Sequence, residues 1–470
     1  MKSRKEVYLI SLEMGDGKRI GGREGFEELM EPLGLCYVGG SIKSAGYNVK
    51  ILQQHNQTDA EIINEIKKAN PKYVGFTSVS SIYARVKNIA QKVKTNDNIT
   101  LLGGIHAQKN IKSSTQDFNY VFTGESEKTI VDFLNDSENL AKLKEIKGLA
   151  FNDENNQFHY NGPSARIENL DEVTPLRENL PQDKYNLIPP SPKRTKNLGS
   201  MITSRGCYHD CSFCTNKSTW GRKIKSHSTE YVIDELKKLK EKDVNYVFFH
   251  DEDFTANKTR LEEICNEISE NKLDIDWMVM GRATDILRNN DEKQAKKTLE
   301  MMKDAGCVQI GYGIESGDPT MLKHMNKGLN VETAKKVLEL TFDAGIIPTG
   351  YFIFGNQNET EESVKNTINF IENSHAIRFR IGHEYPFKGT RDRGIVDENN
   401  LFISEKHKKF MDGDTQVIKL KDDFHERIPS GPDVAKKIYQ SDKYKQKLDD
   451  FMKKAPNIDW DNWKKIIGIK

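Results

Sequence analysis

Nowhere does the 470-residue sequence contain the run of about 18 apolar residues that a membrane-crossing helix requires. Its first apolar stretch, Val7 to Leu12, is cut by Glu13 and carries no cleavage pattern, so the expectation is a cytoplasmic protein with neither span nor signal peptide. Charge of one sign is also lacking. The 71 Lys and Arg against 70 Asp and Glu leave +1, which provides no general field for nucleic acid or an acidic membrane surface. Cysteine is scarce: six in so long a chain argue against a disulfide framework. Repeats, low-complexity tracts and a convincing catalytic triad are absent as well.

What is present divides by pattern. From Glu6 to about Leu134, short apolar runs (Val7 to Leu12, Val49 to Leu52, Tyr73 to Ser78, Ile99 to Gly103, Tyr120 to Thr123) alternate with stretches whose apolar residues recur at helical spacing. Such a βαβ series predicts a doubly wound, Rossmann-like parallel sheet over residues 1–145, with ligands beyond the carboxyl ends of its strands. Lys147 to Tyr160 reads as an appended hairpin, and six of the fourteen prolines fall between Asn161 and Ser200, so residues 146–200 are expected to be hairpin and linker. Six further strand candidates, Met201 to Ser204, Tyr246 to His250, Ile275 to Gly281, Val308 to Ile314, Ile347 to Phe354 and Ile377 to Ile381, alternate with helices across 201–391. They predict a partial (β/α)6 TIM-like barrel whose chemistry gathers at the carboxyl ends of the strands. Residues 392–470 are expected to be a helical carboxyl-terminal region.

Three cysteines, Cys207, Cys211 and Cys214, follow the first of these barrel strands in ITSRGCYHDCSFCTNK, close enough for one loop to bring three thiolates around one metal centre. A structural zinc site wants four ligands and would have to recruit His209 or a distant residue. Three thiolates suit an iron–sulfur cluster with one iron left open.

The C-x-x-x-C-x-x-C spacing, with Phe213 before the last cysteine, resembles the radical S-adenosylmethionine (SAM) enzymes. The resemblance implies that Cys207, Cys211 and Cys214 hold a 4Fe-4S cluster whose open iron chelates SAM, and that Phe213 packs beside the adenine. Phe213 reads equally well as a core aromatic. In VFFHDEDFTANK, Asp251, Glu252 and Asp253 end a strand; they could form a solvated turn or cap a helix, whereas the resemblance places the SAM amino group among them. Glu315, ending the strand VQIGYGIESGD, is implied to bind the SAM ribose, and Arg282 in MVMGRATD to lie near the SAM carboxylate, with a surface ion pair as its alternative. The similarity runs to about Arg391. It departs at Gly355 to Thr360, where the family often has Gly-x-Pro-Gly-Glu-Thr.

In the amino-terminal region, the small residues Ser78 and Ser80 after the third strand, Gly103 and Gly104 after the fourth, and Gly124 and Glu125 after the fifth leave room for a large flat ligand. Directly before such a barrel, they resemble the cobalamin-binding domain of cobalamin-dependent radical SAM enzymes. The Asp-x-His-x-x-Gly signature of domains that supply a cobalt-ligating histidine is missing: the first strand runs into Ser11-Leu12-Glu13-Met14-Gly15-Asp16-Gly17. His106 reads as a packing or hydrogen-bonding residue.

The resemblance implies a methyltransferase that moves a methyl group from SAM through cobalamin to an unactivated carbon of a small-molecule substrate, with flavodoxin or ferredoxin as electron donor. Its nearest rival is oxidative cyclisation or rearrangement of the anaerobic magnesium-protoporphyrin cyclase kind. A tRNA methylthiotransferase would add amino-terminal cysteines and a basic carboxyl-terminal domain, and a non-catalytic sensor would leave Glu315 without a purpose. At the last strand, Arg378 and Arg380 share one face and are expected to be solvated, while His383, Glu384 and Tyr385 at its end are expected nearer to substrate.

Overall fold

A computed structural model describes residues 6–13, 30–55, 57–178, 180, 181, 185, 191–193, 195, 197–399 and 428–469. Met14 to Gly17, Pro189 and Pro190 of the linker, and 400–427 of the carboxyl-terminal region lie outside the described residues. The chain divides into two compact units, the first including residues 31–181 and the second most of the remainder.

In the first unit, β1 (Glu6–Ser11), β2 (Asn48–Gln53), β3 (Tyr73–Thr77), β4 (Ile99–Gly103), β5 (Tyr120–Phe122), β6 (Leu149–Asn152) and β7 (Phe158–Tyr160) form one sheet in the order β2-β1-β3-β4-β5-β6-β7. Strands β1 to β5 pair in parallel, while β6 and β7 add an antiparallel hairpin. The first five follow the doubly wound order, whose switch point lies between β1 and β3. Apolar side chains fill both faces: Ile10, Val74 and Leu102 on one, Val7, Leu9 and Leu101 on the other. Burial on both sides is why these strands read as continuous apolar runs.

The second unit opens with β8 (Leu198–Met201) and a two-residue pair, β9 (Ser204–Arg205) with β10 (Lys225–Ser226). It continues with β11 (Tyr246–Phe249), β12 (Asp276–Gly281), β13 (Cys307–Glu315), β14 (Ile347–Phe354) and β15 (Arg378–His383). The six longer strands form a parallel sheet in the order β15-β14-β13-β12-β11-β8, each followed by helix, as expected for a partial (β/α)6 barrel. Helices after these strands open on side-chain caps: Ser228, Asn257, Asp291, Asn330 and Thr360, among others, each accept a backbone N–H from the first turn. Such caps contribute roughly 1 kcal/mol each and fix where each helix starts relative to the strand end before it.

Two expectations need correction. The first barrel strand starts at Leu198, inside the proline-rich stretch, because Gly199 and Ser200 hide it from an apolar pattern; Thr203 and Ser204 belong to the loop and the β9 pair. Arg380 is exposed as expected, but Arg378 is buried. Helix Gly431–Tyr439 packs along that part of β15, where the Tyr439 hydroxyl accepts from Phe379 N and donates to Phe379 O, both at 3.2 Å. The edge of the sheet is thereby covered.

Candidate functional site

The cysteine loop is braced before it begins. Asp251, fully buried after β11, accepts from Thr203 N (2.6 Å), Thr203 Oγ1 (2.6 Å) and Ser204 Oγ (2.5 Å), and Glu252 accepts from Gly206 N at 3.0 Å. Beyond the cysteines, Ser212 N donates to Met325 O at 2.9 Å and Ser212 Oγ to Asp392 at 3.0 Å. Between these anchors Cys207, Cys211 and Cys214 are free, half-buried thiols, near enough for Cys211 to act electrostatically on both others. Burial pushes the Cys207 thiol up to about 11 and raises Cys214 too. Thiolates in such a place call for a bound cation, and Arg282 already directs Nη1 at Cys211 Sγ, 3.5 Å away. The donor set therefore fits an iron–sulfur cluster.

The three acids do different things. Asp251 and Glu252 hold the backbone that enters the loop. Asp253 Oδ1 accepts from Thr255 at 2.9 Å, while its buried Oδ2 has no hydrogen-bond partner among the described residues. Burial raises all three carboxyls, and neighbouring Asp285 pushes Asp253 further in the same direction.

Glu315 ends β13 with φ +70, where the pairing with β14 shifts register. Its Oε1 accepts from Lys327 Nζ at 2.7 Å, and both side chains are buried. Gly313 makes room for the pair: a Cβ there would lie 2.5 Å from Glu315 Oε1 and 2.8 Å from Lys327 Nζ. Lys327 Nζ also stands 5.9 Å from the Phe213 ring centre, and Arg282 donates to Lys327 O. Arg282 is itself buried, so the surface ion pair considered for it does not form. Sequence reasoning missed Lys327, which follows a short helix in His324-Met325-Asn326-Lys327-Gly328 and reads there as a solvated turn. The chain brings Phe213, Arg282, Glu315 and the cysteines together through this one residue.

At Gly355 to Thr360, where the family often has proline, the turn is closed by side chains. Asn358 N donates to Asn356 Oδ1 (3.4 Å) and Gly355 N to Glu359 (3.1 Å), while Asn356 Nδ2 reaches Asp392 (3.3 Å). Glu384, following β15, is buried, and its Oε1 has no hydrogen-bond partner among the described residues. Burial, then Asp392, Glu315 and Glu359, push this carboxyl from 4.5 to about 8. Between those values the folded chain keeps a proton that the unfolded chain has lost, so native stability falls as pH rises through that window. Glu384→Gln removes the penalty. Denaturant melts should show the variant level with the native protein near about pH 5 and more stable near about pH 8.5, by up to about 4 kcal/mol; identical pH slopes would count against a buried, unpaired Glu384.

In the first unit, the loops expected to meet cobalamin are partly committed to the protein. Ser78 Oγ donates to Val79 O, and Ser80 Oγ bonds His106 Nδ1 at 3.0 Å while His106 stacks on Tyr83 with centroids 3.8 Å apart. Beside Gly103 a Cβ would meet open space, whereas beside Gly104 it would lie 2.7 Å from Thr77 Oγ1. A Cβ on Gly124 would lie 2.2 Å from Ser164 Oγ, and buried Glu125 accepts from Ile167 N and pairs with Arg166 Nε at 3.3 Å. Gly103 thus keeps the open cradle, while Gly124 and Glu125 fasten the segment after the hairpin.

Comparison with known proteins agrees with both units. The Radical SAM superfamily matches residues 201–371, and the B12 binding domain matches residues 24–134. A protein from Pyrococcus horikoshii named as an uncharacterized methyltransferase is 31% identical over 91% of this chain and 90% of its own length. An anaerobic magnesium-protoporphyrin IX monomethyl ester cyclase from Rubrivivax gelatinosus is 28% identical over 72% of this chain, which spans 61% of that protein. The solved structure of OxsB, described as a cobalamin-dependent S-adenosylmethionine radical enzyme, superposes with a TM-score of 0.74 at 18% identity, over 89% of this chain and 65% of OxsB, and so shows the fold in common. The chain belongs to the cobalamin-dependent radical SAM enzymes. The cofactors of that family are a 4Fe-4S cluster, SAM and cobalamin. Among the described residues, no helix is long and apolar enough to cross a membrane.

Proposed function

We propose that this chain transfers a methyl group from SAM, by way of cobalamin, to an unactivated carbon of a small molecule. The observation that carries the reading is the joining of half-buried Cys211 and Phe213 to buried Arg282, Lys327 and Glu315 at one end of the parallel sheet, in a chain whose Pyrococcus relative bears a methyltransferase name. When bound, the cluster and SAM supply a 5′-deoxyadenosyl radical, and cobalamin supplies the methyl group. The chain's share is to hold and orient. Cys207, Cys211 and Cys214 ligate the cluster, and Arg282 offsets its charge. Glu315 would accept from the SAM ribose, Lys327 would offer its charge to the SAM carboxylate, and Phe213 would pack beside the adenine. Of the three acids, Asp253 keeps a buried oxygen without a hydrogen-bond partner among the described residues at this end of the sheet. The loops carrying Ser78, Ser80, Gly103 and Gly104 would hold cobalamin, while Gly124 and Glu125 fasten the segment after the hairpin. A flavodoxin or ferredoxin of the cytoplasm supplies the electrons.

The test needs no knowledge of the substrate. The anaerobically reconstituted protein, given cobalamin, a strong reductant and SAM, is expected to form S-adenosylhomocysteine in an amount matching bound cobalamin. On a methylated substrate, S-adenosylhomocysteine and 5′-deoxyadenosine accumulate in equal amounts. Formation of 5′-deoxyadenosine with no S-adenosylhomocysteine would move the protein to the cyclisation chemistry named for its Rubrivivax relative.

A further inference from the structure

A second group of ligating atoms lies beside the cysteine loop. His209 sits between Cys207 and Cys211, Asp253 follows β11, and Asp285 lies in the helical turn Ala283–Ile286 after β12. His209 Nε2 is 3.9 Å from Asp253 Oδ2 and 3.9 Å from Asp285 Oδ2, and the three atoms lie within 4.8 Å of one another. All three are buried, and none has a hydrogen-bond partner among the described residues. Asp253 itself is 2% exposed.

The surroundings orient this group. The other oxygen of Asp253 accepts from Thr255 Oγ1 at 2.9 Å. The other oxygen of Asp285 accepts from the Tyr208 hydroxyl at 2.9 Å and lies 3.7 Å from Arg288. Each carboxylate is thus held from behind and turns its second oxygen inward, the arrangement that outer partners impose on metal ligands. Arg282, the nearby buried cation, is directed at Cys211 and Lys327 O.

Three occupants could relieve the repulsion between the two carboxylates. A shared proton would satisfy the pair of oxygens and leave the imidazole nitrogen without a partner. An ammonium about 2.8–3.0 Å from all three atoms would have to stand well above their plane, whereas with two edges of 3.9 Å and the third no longer than 4.8 Å the equidistant point in that plane lies about 2.0–2.5 Å from each atom. That distance suits a metal ion, and one imidazole with two carboxylates is a donor set for divalent first-row metals. We propose that His209, Asp253 and Asp285 bind a divalent first-row metal ion distinct from the iron held by the cysteines. Three protein ligands leave coordination positions open to water or to a ligand of the adjoining site. The ion would tie the cysteine loop to the loops after β11 and β12.

The probe is Mn2+, a hard ion with little liking for thiolates. The anaerobically reconstituted protein is titrated with Mn2+ while electron paramagnetic resonance follows the free aqua ion. The expected result is one tightly bound Mn2+ per chain, weakened by about tenfold or more in each of Asp285→Asn and Asp253→Asn. The near-isosteric variants should keep their cluster absorbance, which separates loss of the ion from loss of the fold. No binding by the native protein overturns the proposal, and so does equal binding by native protein and both variants. SAM affinity is measured in parallel: if the native protein binds no Mn2+ but both variants lose SAM, the three atoms hold the SAM ammonium and the metal proposal falls. Mn2+ binding is read without turnover, so its failure and a failure of the methyl-transfer reading remain distinguishable.

Discussion

Alanine in place of Cys211 is expected to leave the reconstituted protein without iron–sulfur absorbance and without measurable 5′-deoxyadenosine formation, while its thermal unfolding stays cooperative. The loss should be complete because no other thiol can step in. Cys36 lies in the core of the first unit, and Cys265 and Cys307 lie in the core of the second, each at most 1% exposed. Burial raises Cys265 and Cys307 far from their thiolate forms. These three are packing residues, the ordinary fate of free cysteine, so Cys265→Ala or Cys307→Ala should cost some stability and no iron. The fold should survive Cys211→Ala because the loop is anchored independently by Asp251, Glu252 and Ser212. Iron and sulfide content, the visible spectrum and product analysis decide the matter together. A variant that retained full iron would remove the cysteine loop from consideration as the cluster site.

Lys327→Met is expected to lower both stability and SAM affinity, and a second substitution should separate the two effects. Methionine keeps the length of the lysine but leaves Glu315 as a buried, unpaired carboxylate, a change that costs about 3–5 kcal/mol. Adding Glu315→Gln removes the stranded charge, and the double variant should regain much of its thermal stability. SAM affinity should not return, since the double variant lacks both the acceptor charge and the cation. Glu315→Gln alone should weaken SAM by roughly ten- to a hundredfold, the counterpart of about 1.5–3 kcal/mol for a charge-assisted hydrogen bond. Equilibrium dialysis with labelled SAM and thermal melts on the same preparations provide the two readouts. Native-like SAM affinity in the double variant would reduce the pair to a structural ion pair.

The sequence made the local features of this molecule visible and left most of its long-range pairs unseen. Strands β4 and β14 fall where their apolar runs begin and end, because parallel strands buried on both faces need apolar residues throughout. The placement of the three cysteines on one loop and of Glu315 at a strand's end was legible because both are properties of neighbouring residues. Lys327 and Asp285 were not. Lys327 is 12 residues from Glu315, and Tyr208 is 77 from Asp285. Nothing local distinguishes a lysine that folds back into a barrel from one in solvent. Glu125 was seen as a residue of a ligand loop for the same reason: its partners Arg166 and Ile167 come 41 and 42 residues later. Arg378 was misread because burial along β15 depends on a helix, Gly431–Tyr439, that lies far along the chain.

The segment after the hairpin has a consequence for how such proteins are assembled from parts. It recrosses the first unit after the last strand of that unit is finished: Gly148 N donates to Gly162 O (2.8 Å), Leu176 N to Cys36 O (2.8 Å), and buried Arg177 pairs with Glu31 at 3.0 Å. A Cβ on Gly40 would lie 1.8 Å from Thr174 O, so helix Leu33–Ser44 is shaped to the returning chain. An exchange of amino-terminal halves between relatives that joined anywhere from Asn161 to Arg177 would set one parent's strap against the other parent's helix, and such chimaeras should express poorly. Crossovers beyond Pro181 keep strap and helix from the same parent, which makes that stretch the natural seam for recombination.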